Sequence, residues 1–284
     1  MCRHFAYLGP VRPLAALVTD PPHSLYRQSW APRTQAHGTV NADGFGLGWY
    51  PSGDPSEPGG APADAAPARY RRAGPIWADP DLPDLLRTLR SHAVLAAVRG
   101  ATAGTSPEAS AAAPFRAGRW LFSHNGAVDA WERLPEDTGA APSASALLAL
   151  EARSDSALLW VLVQDRLAAG EPPGDALAAV VRQVGAARPG ARLNLLLTDG
   201  RSITAVRWGD SLWYRADGQQ VLVASEPFEP ARPDDPGGWT EVPEHSLLTA
   251  TRSGVGIAPL SPDPLSPVPP ATERNRPHDV ELHA

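Results

Sequence analysis

The order in which strand and helix patterns follow one another constrains the fold of this chain more than any other feature. Short apolar runs come first, two helical stretches sit in the middle, and turn-punctuated apolar runs close the sequence. Residues 3–8, 43–50, 93–98 and 120–123 read as strands, with short helices expected around Pro13 to Asp20 and Pro80 to Arg90. The clearest helix runs from Ser154 to Ala169: it opens with Ser-Asp-Ser, continues as ALLWVLVQDRLAA and stops at Gly170, a capped start and a glycine stop. A second helix is expected over Asp175 to Ala187. The runs 193–198, 201–208, 211–215, 220–225 and 245–251 then read as strands, with Asp199-Gly200 a strong two-residue hairpin signal between the first two. Strands and helices segregated in this way predict an α+β fold with layered sheets, not a doubly wound nucleotide fold.

With 284 residues, 43% of them hydrophobic, the chain is long enough to bury a substantial core. The expected domain covers residues 2–258. The low-complexity stretch 51–68 reads as an exposed loop, and the Pro-rich segment 259–284 as a disordered or loosely draped tail. The formal net charge is −6 and no basic stretch is interleaved with aromatics, so nucleic acid is not an expected partner. No apolar run approaches the ~20 residues that cross a bilayer, and the N-terminus does not read as a signal peptide, so no membrane partner and a cytoplasmic location are expected. A single cysteine excludes an internal disulfide and a cysteine-based structural zinc site, and the histidines lack the spacing of metal ligands. Neither a metal nor an organic cofactor is expected.

That single cysteine is Cys2, beside the initiator Met1. Loss of Met1 leaves a thiol and a free α-amine on one residue. An α-amine titrates near ~7.7–8.0, close to the pH at which a general base works best. Nucleophile and base then come from one residue, and no histidine partner is required. The alternative is an inert terminal cysteine.

The motifs around Cys2 weigh between the two. MCRHFAYLG at the start, QSWAPR (28–33), NADGFGLGWY (41–50), AAVRGATAG (96–104), FSHNGAV (122–128), RSDSALL (153–159) and VASEPF (223–228) follow one another in an order that resembles the class II glutamine amidotransferase family, and within it the hydrolases of ergothioneine biosynthesis. The resemblance spans most of residues 2–250. It implies a four-layer αββα N-terminal-nucleophile sandwich with two antiparallel sheets. It also implies hydrolysis of a small γ-glutamyl substrate, γ-glutamyl hercynylcysteine sulfoxide, through a Cys2 thioester. Only Met1 precedes the cysteine, so ordinary methionine removal is expected to suffice. Two alternatives remain: a glutaminase subunit passing ammonia to a separate synthase, and a non-catalytic γ-glutamyl-binding module.

Site roles follow residue by residue. The resemblance implies that Asn125 and the backbone N–H of Gly126 form an oxyanion hole, donors aimed where charge develops on the attacked carbonyl. Asn-Gly alone is equally a strong hairpin signal. Arg99 would fork onto the α-carboxylate of the glutamyl group, with Thr102 beside it, although an arginine ending a strand can also pair with a surface carboxylate. Asp155 would hold the α-ammonium, or serve only as a first-turn acid at a helix head. Where glucosamine-forming relatives carry a histidine, this chain has Ala103, so that role does not carry over. Gly44, Gly46 and Gly48 share one face of a strand and should admit another backbone, with the Cys2 strand as the expected neighbour. Asn41 and Asp43 either orient the site or mark a turn. Trp30, Trp49, Trp77 and Trp120 read as core by default, with an aromatic lining for a trimethylammonium leaving group as the alternative.

Overall fold

The structure, a computed structural model, describes residues 2–51, 66–102, 104–139, 142–229 and 238–260. Ala103, most of the 51–68 loop and the tail beyond 260 therefore lie outside the described residues. Thirteen strands are present in that range: β1 (Cys2–Pro13), β2 (Gly44–Trp49), β3 (Ala68–Arg72), β4 (Arg90–Arg99), β5 (Phe115–Ala117), β6 (Trp120–Ala127), β7 (Arg192–Thr198), β8 (Ile203–Arg207), β9 (Trp213–Ala216), β10 (Val221–Ala224), β11 (Thr240–Glu241), β12 (Ser246–Thr251) and β13 (Gly254–Pro259). They form a seven-stranded sheet ordered β11-β9-β10-β1-β4-β2-β3 and a six-stranded sheet ordered β13-β12-β8-β7-β6-β5. Every pairing is antiparallel.

Period-two alternation sorts the side chains into three apolar layers. On β1, Phe5 and Tyr7 face outward, where Val94, Ala96 and Val98 of β4 join them beneath Leu17, Leu25 and Leu86 of short helices. Ala6 and Leu8 face the other way, meeting Ala93 and Leu95 of β4 and Leu121 and Leu196 of the second sheet. Beyond that sheet, Phe122, Leu193, Leu195 and Leu197 pack against Leu159, Trp160, Val180 and Val181 of two long helices. The layers are thus helix, sheet, sheet, helix.

The two long helices, Asp155–Ala168 and Pro173–Ala187, form for local reasons. Ser154 is the N-cap of the first and its hydroxyl accepts the Ala157 N–H at 3.2 Å; such caps contribute about 1 kcal/mol. The second opens on Pro173, whose missing N–H costs nothing in the first turn. The first helix is docked by Trp160 stacked on Phe122, with ring centroids 5.1 Å apart and planes 13° from parallel. Such pairs add about 0.5–1.5 kcal/mol beyond their buried area. No helix among the described residues is long and apolar enough to cross a membrane.

Two sequence expectations change. β2 pairs with β3 and β4, not with β1. Its glycines face the second sheet instead: a Cβ on Gly46 would strike the Ala113 carbonyl, and one on Gly48 would lie 2.7 Å from Leu121 and 2.8 Å from Pro114. The Asp199-Gly200 connection is also longer than a two-residue hairpin, because Thr198 pairs with Ile203. Asp199 Oδ1 accepts the N–H groups of Arg201 and Ser202 at 3.0 and 2.9 Å, which closes a four-residue turn with Gly200 at φ +83°.

Candidate active site

Strand parity brings the site together. Cys2 and His4 share the face of β1 that carries Ala6 and Leu8; Arg99 shares that of Ala93 and Leu95 on β4; Ser123 and Asn125 share that of Leu121 on β6. All five side chains therefore project between the sheets, at one end of the sandwich. Cys2 is the register partner of Arg99, and Gly44 flanks Arg99 on its other side. The sheets are bridged there by polar contacts: His4 Nδ1 lies 2.9 Å from Ser123 Oγ, and the Cys2 nitrogen donates to Asn125 Oδ1 at 3.3 Å.

Cys2 is a partly buried free thiol. Burial pushes its pKa up, and Asp155 adds to this; the terminal ammonium, Arg99 and the Gly100 N–H pull the other way. Burial thus works against the thiolate, and a base beside the thiol would offset it. Burial, then the charges of His124 and Arg3, depress the His4 pKa well below the usual range.

Arg99 is 7% exposed and only partly satisfied. Its Nη2 donates to Thr105 Oγ1 at 2.7 Å, while Nη1 is buried with no hydrogen-bond partner. A buried guanidinium N–H left open is costly unless an acceptor arrives. Thr102 reaches Arg99 through Thr105, since its carbonyl accepts both the Thr105 hydroxyl (2.7 Å) and the Thr105 N–H (3.2 Å). Thr105 was missed in the sequence; the second threonine of GATAGTS was its only signal. Asp43 secures the same corner: its N–H donates to the Arg99 carbonyl at 2.8 Å and its Oδ2 accepts the Ala101 N–H at 2.7 Å. Asn41 is fully buried; its N–H donates to the Ser29 carbonyl and its Nδ2 reaches Gln28 and Gln35, tying the 28–41 loop together.

Asp155 is 6% exposed at the head of its helix. Its Oδ2 accepts the Val128 N–H at 3.1 Å and its Oδ1 the Ser156 N–H at 2.7 Å, which locks the helix start onto the end of β6. His124 lies beneath, its Nδ1 2.9 Å from Ser156 Oγ and its Nε2 2.9 Å from the Arg192 carbonyl. Asn125-Gly126 is not a turn. Both residues lie inside β6, opposite Asn194 and Leu193 of β7. A side chain at 126 would collide with the Arg192 carbonyl and lie 2.6 Å from the His124 ring, so only glycine fits. Among the tryptophans, Trp49 and Trp120 pack on the outer apolar layers. Trp30 stands edge-on to Tyr26 and Trp77, and Arg27 already lies 5.3 Å over its ring. Among the described residues no group of three or more His, Cys, Asp or Glu side chains is arranged to hold a metal ion.

Comparison with known proteins shows the family. Residues 14–236 match the family of class-II glutamine amidotransferases. The γ-glutamyl-hercynylcysteine sulfoxide hydrolase of Mycobacterium tuberculosis is 42% identical over 262 residues, 92% of this chain and 97% of that protein. The protein of the same name from Mycolicibacterium smegmatis is 41% identical, across 92% of this chain and its whole length. Among solved structures, a class-II glutamine aminotransferase domain protein from Silicibacter pomeroyi superposes with a TM-score of 0.62 at 24% identity, over 92% of this chain and 100% of that one. Glutamine phosphoribosylpyrophosphate amidotransferase from B. subtilis does so at 0.60 and 14% identity, over 92% of this chain and 50% of that one. These two share the fold, a helix–sheet–sheet–helix sandwich. The chain belongs to the class-II glutamine amidotransferase family.

Proposed function

We propose that this enzyme hydrolyses the γ-glutamyl amide of γ-glutamyl-hercynylcysteine sulfoxide, releasing glutamate and hercynylcysteine sulfoxide. The mycobacterial hydrolases carry that substrate in their names, and their identity extends over nearly the whole chain. The observation that carries the mechanism is the register of Cys2 opposite Arg99, with Asn125 of the facing sheet on the Cys2 nitrogen.

Once Met1 is removed, that nitrogen is an α-amine. Asn125 Oδ1 accepts one of its protons, which leaves the lone pair free to take the thiol proton. The thiolate sulfur bonds to the γ-carbon, and the carbonyl electrons move onto oxygen. The second N–H of the Asn125 amide and the N–H of Gly126 hold that oxyanion. The open Nη1 of Arg99 takes the α-carboxylate and Asp155 the α-ammonium, with Thr102 beside the head group. When the carbonyl re-forms, the C–N bond breaks, and the leaving nitrogen receives the proton stored on the α-amine. Water, losing its proton to the same amine, attacks the thioester; the C–S bond breaks, glutamate leaves and the thiol is restored. Gripping both charges of one amino-acid head selects a γ-linkage, because the α-carboxylate must be free.

The test is glutamate release from the named substrate, with the intact mass of the protein recorded alongside. A mature chain lacking Met1, with turnover abolished in Cys2→Ala, is the expected result. A retained Met1, or more than trace activity in Cys2→Ala, overturns the mechanism. Faster turnover of glutamine than of the sulfoxide substrate overturns the substrate assignment.

A further inference from the structure

The run VASEPF ends β10 beside β1, yet the proposed chemistry uses none of its residues. Ser225 and Glu226 are both fully buried there. We infer that Ser225 and Glu226 are positioning residues that hold Cys2 from both sides, Glu226 through the carbonyl of Cys2 and Ser225 through the Asn125 amide that receives its nitrogen. The inference rests on the proposed role of Cys2 and Asn125.

The hydrogen bonds form a closed circuit. Arg3 Nη1 donates to the Cys2 carbonyl at 3.1 Å, and Arg3 Nε donates to Glu226 Oε1 at 2.9 Å. The same carboxylate gathers the N–H groups of Arg33 (2.8 Å) and Thr34 (3.1 Å) and the ring nitrogen of His23 (2.7 Å). Thr34 Oγ1 lies 2.8 Å from Ser211 Oγ, which donates to the Ser225 carbonyl at 2.8 Å. Ser225 Oγ accepts from Asn125 Nδ2 at 3.3 Å and from the His4 N–H at 3.1 Å. Asn125 Oδ1 then returns the path to the Cys2 nitrogen at 3.3 Å.

The two residues do different work. A primary amide carries two N–H donors. Ser225 takes one and so fixes which way round the Asn125 amide sits: oxygen on the Cys2 nitrogen, remaining N–H toward the oxyanion. Glu226 instead anchors the backbone of the nucleophile through Arg3. It ties that backbone to the 31–35 loop through the Arg33 and Thr34 N–H groups. A misplacement of about 1 Å at a reacting atom costs about 100-fold in rate.

The experiment compares Glu226→Gln and Ser225→Ala with the wild type in two assays: steady-state hydrolysis of γ-glutamyl-hercynylcysteine sulfoxide, and the alkylation rate of Cys2 by iodoacetamide. Circular dichroism reports folding. In Glu226→Gln both kcat and alkylation should fall, kcat by about 100-fold, because the thiol and its amine lose their alignment. In Ser225→Ala kcat should fall about tenfold and alkylation by a smaller factor, because the loosened Asn125 amide serves both the Cys2 amine and the oxyanion, and alkylation needs only the first. In both, KM should stay within about twofold, since neither touches the glutamate head. A folded variant with unchanged kcat, or a KM that rises in step with the loss, overturns the role. Should Glu226→Gln not fold, Arg3→Lys is read by the same assays, since it keeps a cation beside Glu226 and leaves the carboxylate to its other donors while removing the guanidinium fork that reaches the Cys2 carbonyl. Absence of glutamate release from the wild type overturns the substrate assignment, and the alkylation rates then decide the positioning role alone.

Discussion

Arg3 and Arg99 sit on adjacent strands of one sheet, both buried, and differ in where their counter-charge comes from. Arg3 projects from the outer face of β1 and meets the Glu226 carboxylate at 2.9 Å, with both side chains 1% exposed. Arg99 projects into the cleft between the sheets. Its partner is the Thr105 hydroxyl, and among the described residues it forms no ion pair. Removing a guanidinium from water is repaid only by a well-placed anion with further hydrogen bonds. The chain supplies that anion for Arg3 and leaves it out for Arg99. The first arginine is therefore architecture; the second is the one to which the proposed mechanism brings the α-carboxylate of the substrate.

Activity should fall at both sites, but stability chiefly at the first. The largest effect is expected from Glu226→Ala, which strands Arg3 without its partner and should cost about 3–5 kcal/mol in urea unfolding. Arg99→Met is the converse case. It should leave the urea midpoint unchanged or raised, because no pair is broken, yet lower kcat/KM by about 10- to 100-fold through loss of charge-assisted bonds to substrate. A drop in stability as large as that of Glu226→Ala would end the distinction between the two arginines.

Acid sharpens the same contrast. Burial alone would raise the Glu226 carboxyl, but the His23 hydrogen bond, the Arg33 N–H, the Arg3 charge and the Thr34 N–H outweigh it and hold the pKa near about 2, against 4.5 for the free group. A carboxyl whose pKa is depressed on folding contributes stability that is complete above the unfolded value and lost as pH falls through the folded one. Stability should thus decline between pH 4.5 and about 2, and Glu226→Gln should lack that part of the slope in urea melts across the range. The smallest effect is expected at Thr105→Val, which removes a single neutral partner of Arg99. It should lower kcat/KM by about two- to tenfold and stability by about 1 kcal/mol, since a buried donor of Arg99 loses its acceptor, measured in the same assays.

Features that depend on near neighbours in the chain were legible in the sequence. The helix head at Ser154-Asp155 and its stop near Gly170 appear where the cap chemistry puts them. The central strands appear where apolar runs are buried on both faces. β3, β5, β11 and β13 were not recognised, and they share a cause: each is a sheet edge that pairs with one neighbour, and apart from Phe115 of β5 they bury little. β3 reads ARYRR, arginine-rich, and β13 reads GVGIAP, whose Val255 and Ile257 alternate only with glycine and stay partly exposed. Such strands are held by their neighbour's backbone, which leaves no mark on their own side chains. Asn125-Gly126 shows the same limit from the other side: the strongest turn dipeptide lies within a strand, because its glycine must clear the Arg192 carbonyl.

The sequence by itself determined the chemistry on offer: one thiol beside the initiator, one amide-glycine step, an arginine at a strand end and an acid at a helix head, in family order. Only the tertiary structure decided that Cys2 faces Arg99, that Thr105 rather than Thr102 contacts that arginine, and that Arg3 and Glu226 form the support beneath. The reason is physical. Local propensity acts over a few residues, whereas the register between strands nearly one hundred residues apart is set by which faces must be buried together, and one step of slippage would turn Cys2 out of the cleft.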